Sequence, residues 1–217
     1  MKKTLMAFGM VFVLAGFVAI GNAQAGVING TVWFNASSPQ VFTSNLNTVV
    51  PSAGSTMATF TVGQLNFIDP PGTTYGSFLS GGAGNPNGLA GLNSTVATTP
   101  IVTSTNPPMS GSLFKFTGSF LVTGSNPTVT HDDGFWMQIG AQTFDYSGPT
   151  PAETTDITGL TPGVVYSFTL YYAAVNGVPE VLQTTDLQAV PEPTTLLLLG
   201  LGLFGLGLLG IKRKTNA

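Results

Sequence analysis

Leu113-Phe114-Lys115-Phe116-Thr117-Gly118-Ser119-Phe120-Leu121-Val122 is the stretch that decides the fold. Phe114, Phe116, Phe120 and Val122 share one parity, while Lys115, Thr117 and Ser119 take the other. Successive side chains of a strand point to opposite faces, so this pattern reads as a strand with one buried side. The pattern recurs. Val164, Tyr166, Phe168, Leu170 and Tyr172 share a face, and so do Phe135, Met137 and Ile139, with Trp136 and Gln138 opposed. Val27–Phe34 and Val181–Leu187 are further strand candidates. Thr56–Ile68 alternates too, but its apolar parity flips near Gly63, which predicts a bulge or a bend.

Turn-rich stretches separate these runs: Asp69-Pro70-Pro71-Gly72, Gly81–Gly91 and Asn106-Pro107-Pro108. Thr73–Met109 reads either as a set of short strands or as an extended polar loop. No helical period of useful length appears between the two ends. Many short strands with Gly- and Pro-rich turns predict an all-β fold, an antiparallel β-sandwich of jelly-roll-like form.

The two ends carry the opposite signature. Lys2 and Lys3 precede an apolar run from Leu5 to Ile20, and Ala23-Gln24-Ala25 follows. A positive start, a short apolar core and a small-x-small site describe a secretory signal peptide over 1–25, cut by signal peptidase after Ala25. At the other end, Thr194 to Ile211 is apolar and uncharged. At 1.5 Å per residue this run makes a transmembrane helix of about 27 Å, close to a thin bilayer's hydrocarbon core. Lys212, Arg213 and Lys214 follow directly and act as a stop-transfer that keeps the tail in the cytoplasm.

Between the ends, 26–189 is expected to be one secreted domain. It has no cysteine. Its one base is Lys115, set against Asp69, Asp132, Asp133, Asp145, Glu153, Asp156, Glu180 and Asp186, a net charge of −7. The chain-wide net charge of −3 conceals this, because the remaining bases lie in the two ends. Such a body repels nucleic acid and anionic lipid, so no nucleic-acid partner is expected.

Val190-Pro191-Glu192-Pro193, the apolar run and the basic cluster, in that order, resemble the PEP-CTERM sorting signal over 190–217. Two prolines around a glutamate cannot continue a helix or a central strand, so they hold an extended, accessible segment. The resemblance implies recognition at Val190–Pro193 by an exosortase-like membrane protease. It also implies a transient membrane anchor and final residence at the cell surface or in an extracellular matrix.

His131-Asp132-Asp133-Gly134 is the sharpest polar cluster in the body. It reads as a hairpin or loop turn, since Asp-Gly is a frequent turn dipeptide. It also reads as a cation site, since adjacent carboxylates suit Ca²⁺. Phe116–Val122, Asp132–Gly140 and Pro162–Tyr172 together resemble the PA14/fibro-slime β-sandwich pattern. That resemblance implies calcium at Asp132 and Asp133, with Asn176 on a second loop, and sugar hydroxyls held through the ion. Leu160-Thr161-Pro162-Gly163-Val164-Val165-Tyr166 resembles the tyrosine corner of fibronectin type III domains, which implies a structural role for Tyr166.

Catalytic signatures are scarce. There is one histidine, no cysteine, no Gly-x-Ser-x-Gly elbow and no zinc-spaced histidine pair. His131 as a general base, and Glu153 with Asp156 as a carboxylate pair, are the arrangements a secreted hydrolase would have to use. Trp33, Trp136, Tyr171 and Tyr172 are candidates either for sugar stacking or for packing. The sequence therefore predicts a non-enzymatic structural or adhesive protein of exopolysaccharide or biofilm. A calcium-dependent carbohydrate-binding module is the alternative, and a secreted hydrolase the least favoured reading.

Overall fold

A computed structural model describes residues 26–37, 45–48, 57–68, 74–80, 89–101, 110–146, 148, 151–175, 180–190 and 200. Ala23 and Ala25, Asn176, Pro191–Pro193, the apolar run 194–211 apart from Gly200, and Lys212–Lys214 lie outside these residues. Among the described residues no helix is long and apolar enough to cross a membrane.

Among the described residues, eleven strands form two antiparallel sheets. They are β1 (Ile28–Ser37), β2 (Met57–Val62), β3 (Asn66–Ile68), β4 (Ser110–Val122), β5 (Thr128–Asp132), β6 (Phe135–Ile139), β7 (Gln142–Tyr146), β8 (Glu153–Asp156), β9 (Val165–Ala174), β10 (Val181–Thr185) and β11 (Leu187–Ala189). The larger sheet runs β2-β1-β4-β9-β6-β7, with β11 also on β4; the smaller runs β3-β10-β5-β8. This is the antiparallel β-sandwich that the alternation predicts.

The stretch that predicts the fold also centres it. β4 pairs with β9 over ten positions, from Ser112 opposite Ala174 to Leu121 opposite Val165. Phe114, Phe116, Phe120 and Val122 are fully buried on its inner face. Phe116 stacks on Phe67 of the opposite sheet at 5.6 Å between centroids, and Phe120 stacks on Phe168 at 4.0 Å. Each such pair contributes about 0.5–1.5 kcal/mol beyond area burial, so the aromatics join the two sheets as well as filling the space between them.

Five connections carry the chain from one sheet to the other among the described residues, and three of them are tight corners. At Gly63–Gln64 the chain leaves β2 in the larger sheet for β3 in the smaller. Phe60 and Val62 point into the core before the corner, Leu65 and Phe67 after it. The parity flip therefore marks a change of sheet, not a bulge within one. Asp133-Gly134 makes the second corner, between β5 and β6, and so joins strands of different sheets instead of closing a hairpin. Asp186 (φ 58°) makes the third, between β10 and β11.

The 73–109 region departs from both expectations. Its described residues contain two short helices, α1 (Tyr75–Leu79) and α2 (Ser94–Ala97). One turn is too short to show a helical period, so only the caps betray them. Thr74 accepts from the Ser77 N–H and Ser77 returns the bond in a capping box; Asn93 Oδ1 accepts from the Thr95 N–H at 2.8 Å. α1 buries Tyr75, Phe78 and Leu79, and the Tyr75 hydroxyl meets the Ser112 hydroxyl at 2.5 Å.

On the outer side of the larger sheet, Leu46, Leu113, Trp136, Ala173 and Val175 form a second buried cluster, edged by Trp33 and Tyr171. Trp136 and Tyr172 are thus packing residues, as is the inner face of β9. The tyrosine corner forms as its resemblance implies: the Tyr166 hydroxyl accepts the Thr161 N–H at 3.1 Å.

Candidate functional site

The corner between β5 and β6 gathers most of the polar groups buried in the sandwich. Strand alternation sends His131 inward and Asp132 outward, and the corner turns Asp133 inward again. The Asp132–Asp133 peptide is cis. His131 is fully buried against the rings of Phe135 (4.5 Å) and Tyr146 (5.7 Å). Its Nδ1 lies 2.7 Å from the Asp133 carbonyl, which can only accept, so Nδ1 carries the proton. Nε2 then accepts from the Thr155 hydroxyl at 3.1 Å, with Glu153 Oε1 at 3.6 Å. Burial holds the imidazole below its ordinary pKa, against the opposing pull of the Asp133 carbonyl and Glu153. His131 is therefore a neutral core residue that pins the corner.

Asp133 is fully buried, and its Oδ2 accepts the Val175 N–H at 2.7 Å, from the far end of β9. The Asp132 carboxylate accepts from the backbone of Ala152, ahead of β8; burial nevertheless raises its pKa. Tyr172, also fully buried, donates to the Asp132 carbonyl and lies 3.1 Å from Glu180 Oε2. Burial first, then Glu180, Asp133 and Asp132, push the tyrosine hydroxyl well above its ordinary range. The corner thus ties β6, β8, β9 and the start of β10 together through carboxylates.

Glu180 is the member that sequence reasoning misses. Its one signal is a charge placed directly before the buried pair Val181-Leu182. Asn176 lies outside the described residues. Glu153 and Asp156 both fall on β8 but on opposite faces: Asp156 has outward parity, while Glu153 shares the parity of buried Thr155 and reaches towards His131.

The chemistry of the corner is that of hard oxygen donors. Lys115, the single base of the body, sits 5.5 Å from the Tyr171 ring centroid. Tyr171 and Tyr172 are sequence neighbours in a strand, so Lys115 lies on the opposite face of the sheet. A buried carboxylate costs several kcal/mol unless compensated. Backbone N–H groups compensate part of that here. Adjacent carboxylates fit Ca²⁺ in donor type. Their fit is partial: Asp133 Oδ2 and both corner carbonyls already accept hydrogen bonds, and among the described residues no three His, Asp or Glu side chains form a metal-ligand group.

The second feature is the point where the body ends. β1 and β11 lie end to end along one edge of β4. β1 covers Ser110 to Thr117, and β11 covers Phe120 to Val122. The Val190 N–H continues the ladder by donating to Ser119 O at 3.0 Å. Gly26 is buried in the seam, where a Cβ would overlap the Val190 nitrogen and the Ala189 carbonyl carbon. The residue that would follow signal-peptide removal therefore touches the first residue of the Val190–Pro193 segment.

Residues 189–214 match the PEP-CTERM protein-sorting motif. The match begins on the last residue of β11, so the motif starts where the sheet stops. The motif marks an exported protein that is processed by an exosortase, a membrane protease, and destined for the cell surface. No curated protein matches the sequence. Two solved structures are similar, both of PA14 domains. A PA14 sugar-binding domain from an RTX adhesin is 19% identical with a TM-score of 0.41, over 74% of this chain and 88% of its own. The PA14 domain of the MpAFP antifreeze protein is 16% identical with a TM-score of 0.41, over 76% of this chain and 86% of its own.

Proposed function

We propose that this protein is a non-catalytic structural or adhesive component of an extracellular polysaccharide or biofilm matrix. In this reading residues 1–25 are removed by signal peptidase, and Val190–Pro193 is gripped by the exosortase. Thr194–Ile211 holds the precursor in the membrane until then, with Lys212–Lys214 as its cytoplasmic stop. The observation that carries it is the sorting motif beginning at Ala189, the last residue of β11. A protease at the membrane surface then meets the Pro-Glu-Pro segment with a folded body on one side and an anchor on the other. Mass spectrometry of the surface-exposed protein from its native host tests this. The expected C-terminus lies within or just after Pro191–Pro193, and an intact Ala217 overturns the reading.

The carboxylate corner supports a second reading, in which the body binds calcium through Asp132 and Asp133, with Asn176 completing the set, and carbohydrate through the ion. What favours it is the donor set itself: two adjacent carboxylates, Asp132 and Asp133, at one corner, oxygen ligands of the kind Ca²⁺ takes. An extracellular site of ordinary affinity, about 10⁻⁴–10⁻³ M, would be 10- to 100-fold saturated at 10 mM Ca²⁺. That stabilises the fold by about 1.4–2.7 kcal/mol. The melting temperature should then rise by several degrees with Ca²⁺, reverse with chelator, and stop responding in Asp132→Asn. A melting temperature indifferent to both removes this reading and leaves the first intact.

A further inference from the structure

A second polar feature lies away from the corner, where the turn at Gly63–Leu65 and the β10–β11 connection diverge. They leave a groove of about 290 Å³ beside β3, β10 and β5. Gln64, Asn66, Thr130, Gln183 and Thr185 contribute to its lining, over the apolar Leu65 and Leu187. No ionisable side chain lines it, in a body with eight carboxylates.

The lining is ordered by sheet register. Gln183 stands directly opposite Asn66 on one side and Thr130 on the other, and Thr130 stands opposite Thr154. One row of uncharged polar side chains thus crosses all four strands of the smaller sheet. The row is braced from within: the Gln183 amide donates to Asn66 Oδ1, and the Thr130 and Thr154 hydroxyls meet at 2.9 Å. Bracing removes much of the rotamer entropy that a ligand would otherwise have to freeze. Each amide keeps both a donor and an acceptor for an outside partner, and each hydroxyl can serve as either.

We propose that this groove binds an uncharged, polyhydroxylated polymer, a neutral polysaccharide, without calcium. The proposal rests on the matrix reading above and names the ligand class and the surface. Paired donors and acceptors suit hydroxyl groups, which also donate and accept. The absence of ionisable groups leaves nothing to compensate a charged ligand, and the net charge of −7 repels an acidic polysaccharide. Asp132 shares the outward parity of Thr130 on β5, so the groove and the carboxylate corner are distinct positions along one strand.

Affinity electrophoresis of the full chain in a sugar-free zwitterionic detergent tests the idea, with dextran, galactomannan or alginate cast in the gel. The expected result is retardation by at least one neutral polymer, unchanged by EDTA, and none by alginate. Gln183→Ala with Thr130→Ala should weaken the retardation at least tenfold while the melting temperature stays within a few degrees of the parent. Asn66→Ala gives an independent second variant. Retardation by alginate alone, loss of binding in EDTA, or full binding by the folded variants overturns the groove assignment. So does a failure of both neutral polymers to retard the chain. A C-terminus found intact at Ala217 is a separate failure, of the sorting reading.

Discussion

Gly26→Ala tests whether the two ends of the body really close one seam. The added methyl would fall within contact distance of backbone atoms of Ala189 and Val190, which cannot swing away as a side chain can. Forcing such a group into a packed site costs about 1–3 kcal/mol. If Val190 moves, its N–H loses Ser119 O, for about 1 kcal/mol more. The total of roughly 2–4 kcal/mol corresponds to a fall of about 4–16 °C in melting temperature for a domain of this size. Thermal unfolding of the exported chain reads the shift, and hydrogen exchange at the Ala189 and Val190 amides locates it. Gly118→Ala is the control: its added Cβ would meet Phe168 Cε1 at 3.3 Å, the edge of a side chain. A Gly26→Ala protein that melts with the parent and keeps the Val190 amide protected refutes the seam. In that case residue 26 simply peels away from β11.

Two further outcomes follow from single contacts. Tyr166→Phe removes the acceptor for the Thr161 N–H and should lower stability by about 1 kcal/mol, seen as a lower urea midpoint at unchanged m-value. His131 gives a pH dependence of defined sign: its folded pKa lies below 6.5, so between that value and 6.5 the unfolded chain binds the extra proton. Its contribution is complete above pH 6.5 and declines as pH falls towards the folded pKa. Asp132 acts oppositely, its contribution being present at low pH and lost as pH rises through its raised pKa, nearer the carboxylate range. Urea midpoints at pH 7.5, 6.5 and 5.5 should therefore fall for the parent and fall less for His131→Gln; equal slopes contradict the assignment.

The period-2 runs at Leu113–Val122, Phe135–Ile139 and Val164–Tyr172 are legible because each strand turns its larger apolar side chains to the common core, whichever neighbour it takes. Which sheet a strand joins is not legible. The flip at Gly63 looks like a local irregularity, since both sheets bury towards a common core and only the topology separates a bulge from a corner. Tyr166 is readable because its partner is five residues away. The links from Asp133 to Val175 and from Tyr172 to Asp132 span 42 and 40 residues and follow only from strand order. Glu180 leaves no motif for the same reason: its role comes from lying under Tyr172. The helices at Tyr75–Leu79 and Ser94–Ala97 escape because their information sits in Thr74, Ser77 and Asn93, not in a period.

Sorting, anchoring and surface residence all depend on the chain being released from its tail just after the end of β11. Intact-mass measurement of the protein stripped from the surface of its native host addresses this directly, beside a strain lacking the exosortase. The expected mature chain begins at Gly26 and ends within or just after Pro191–Pro193, with the full tail retained in the mutant strain. A surface protein that still carries Lys212–Ala217 in both strains contradicts it.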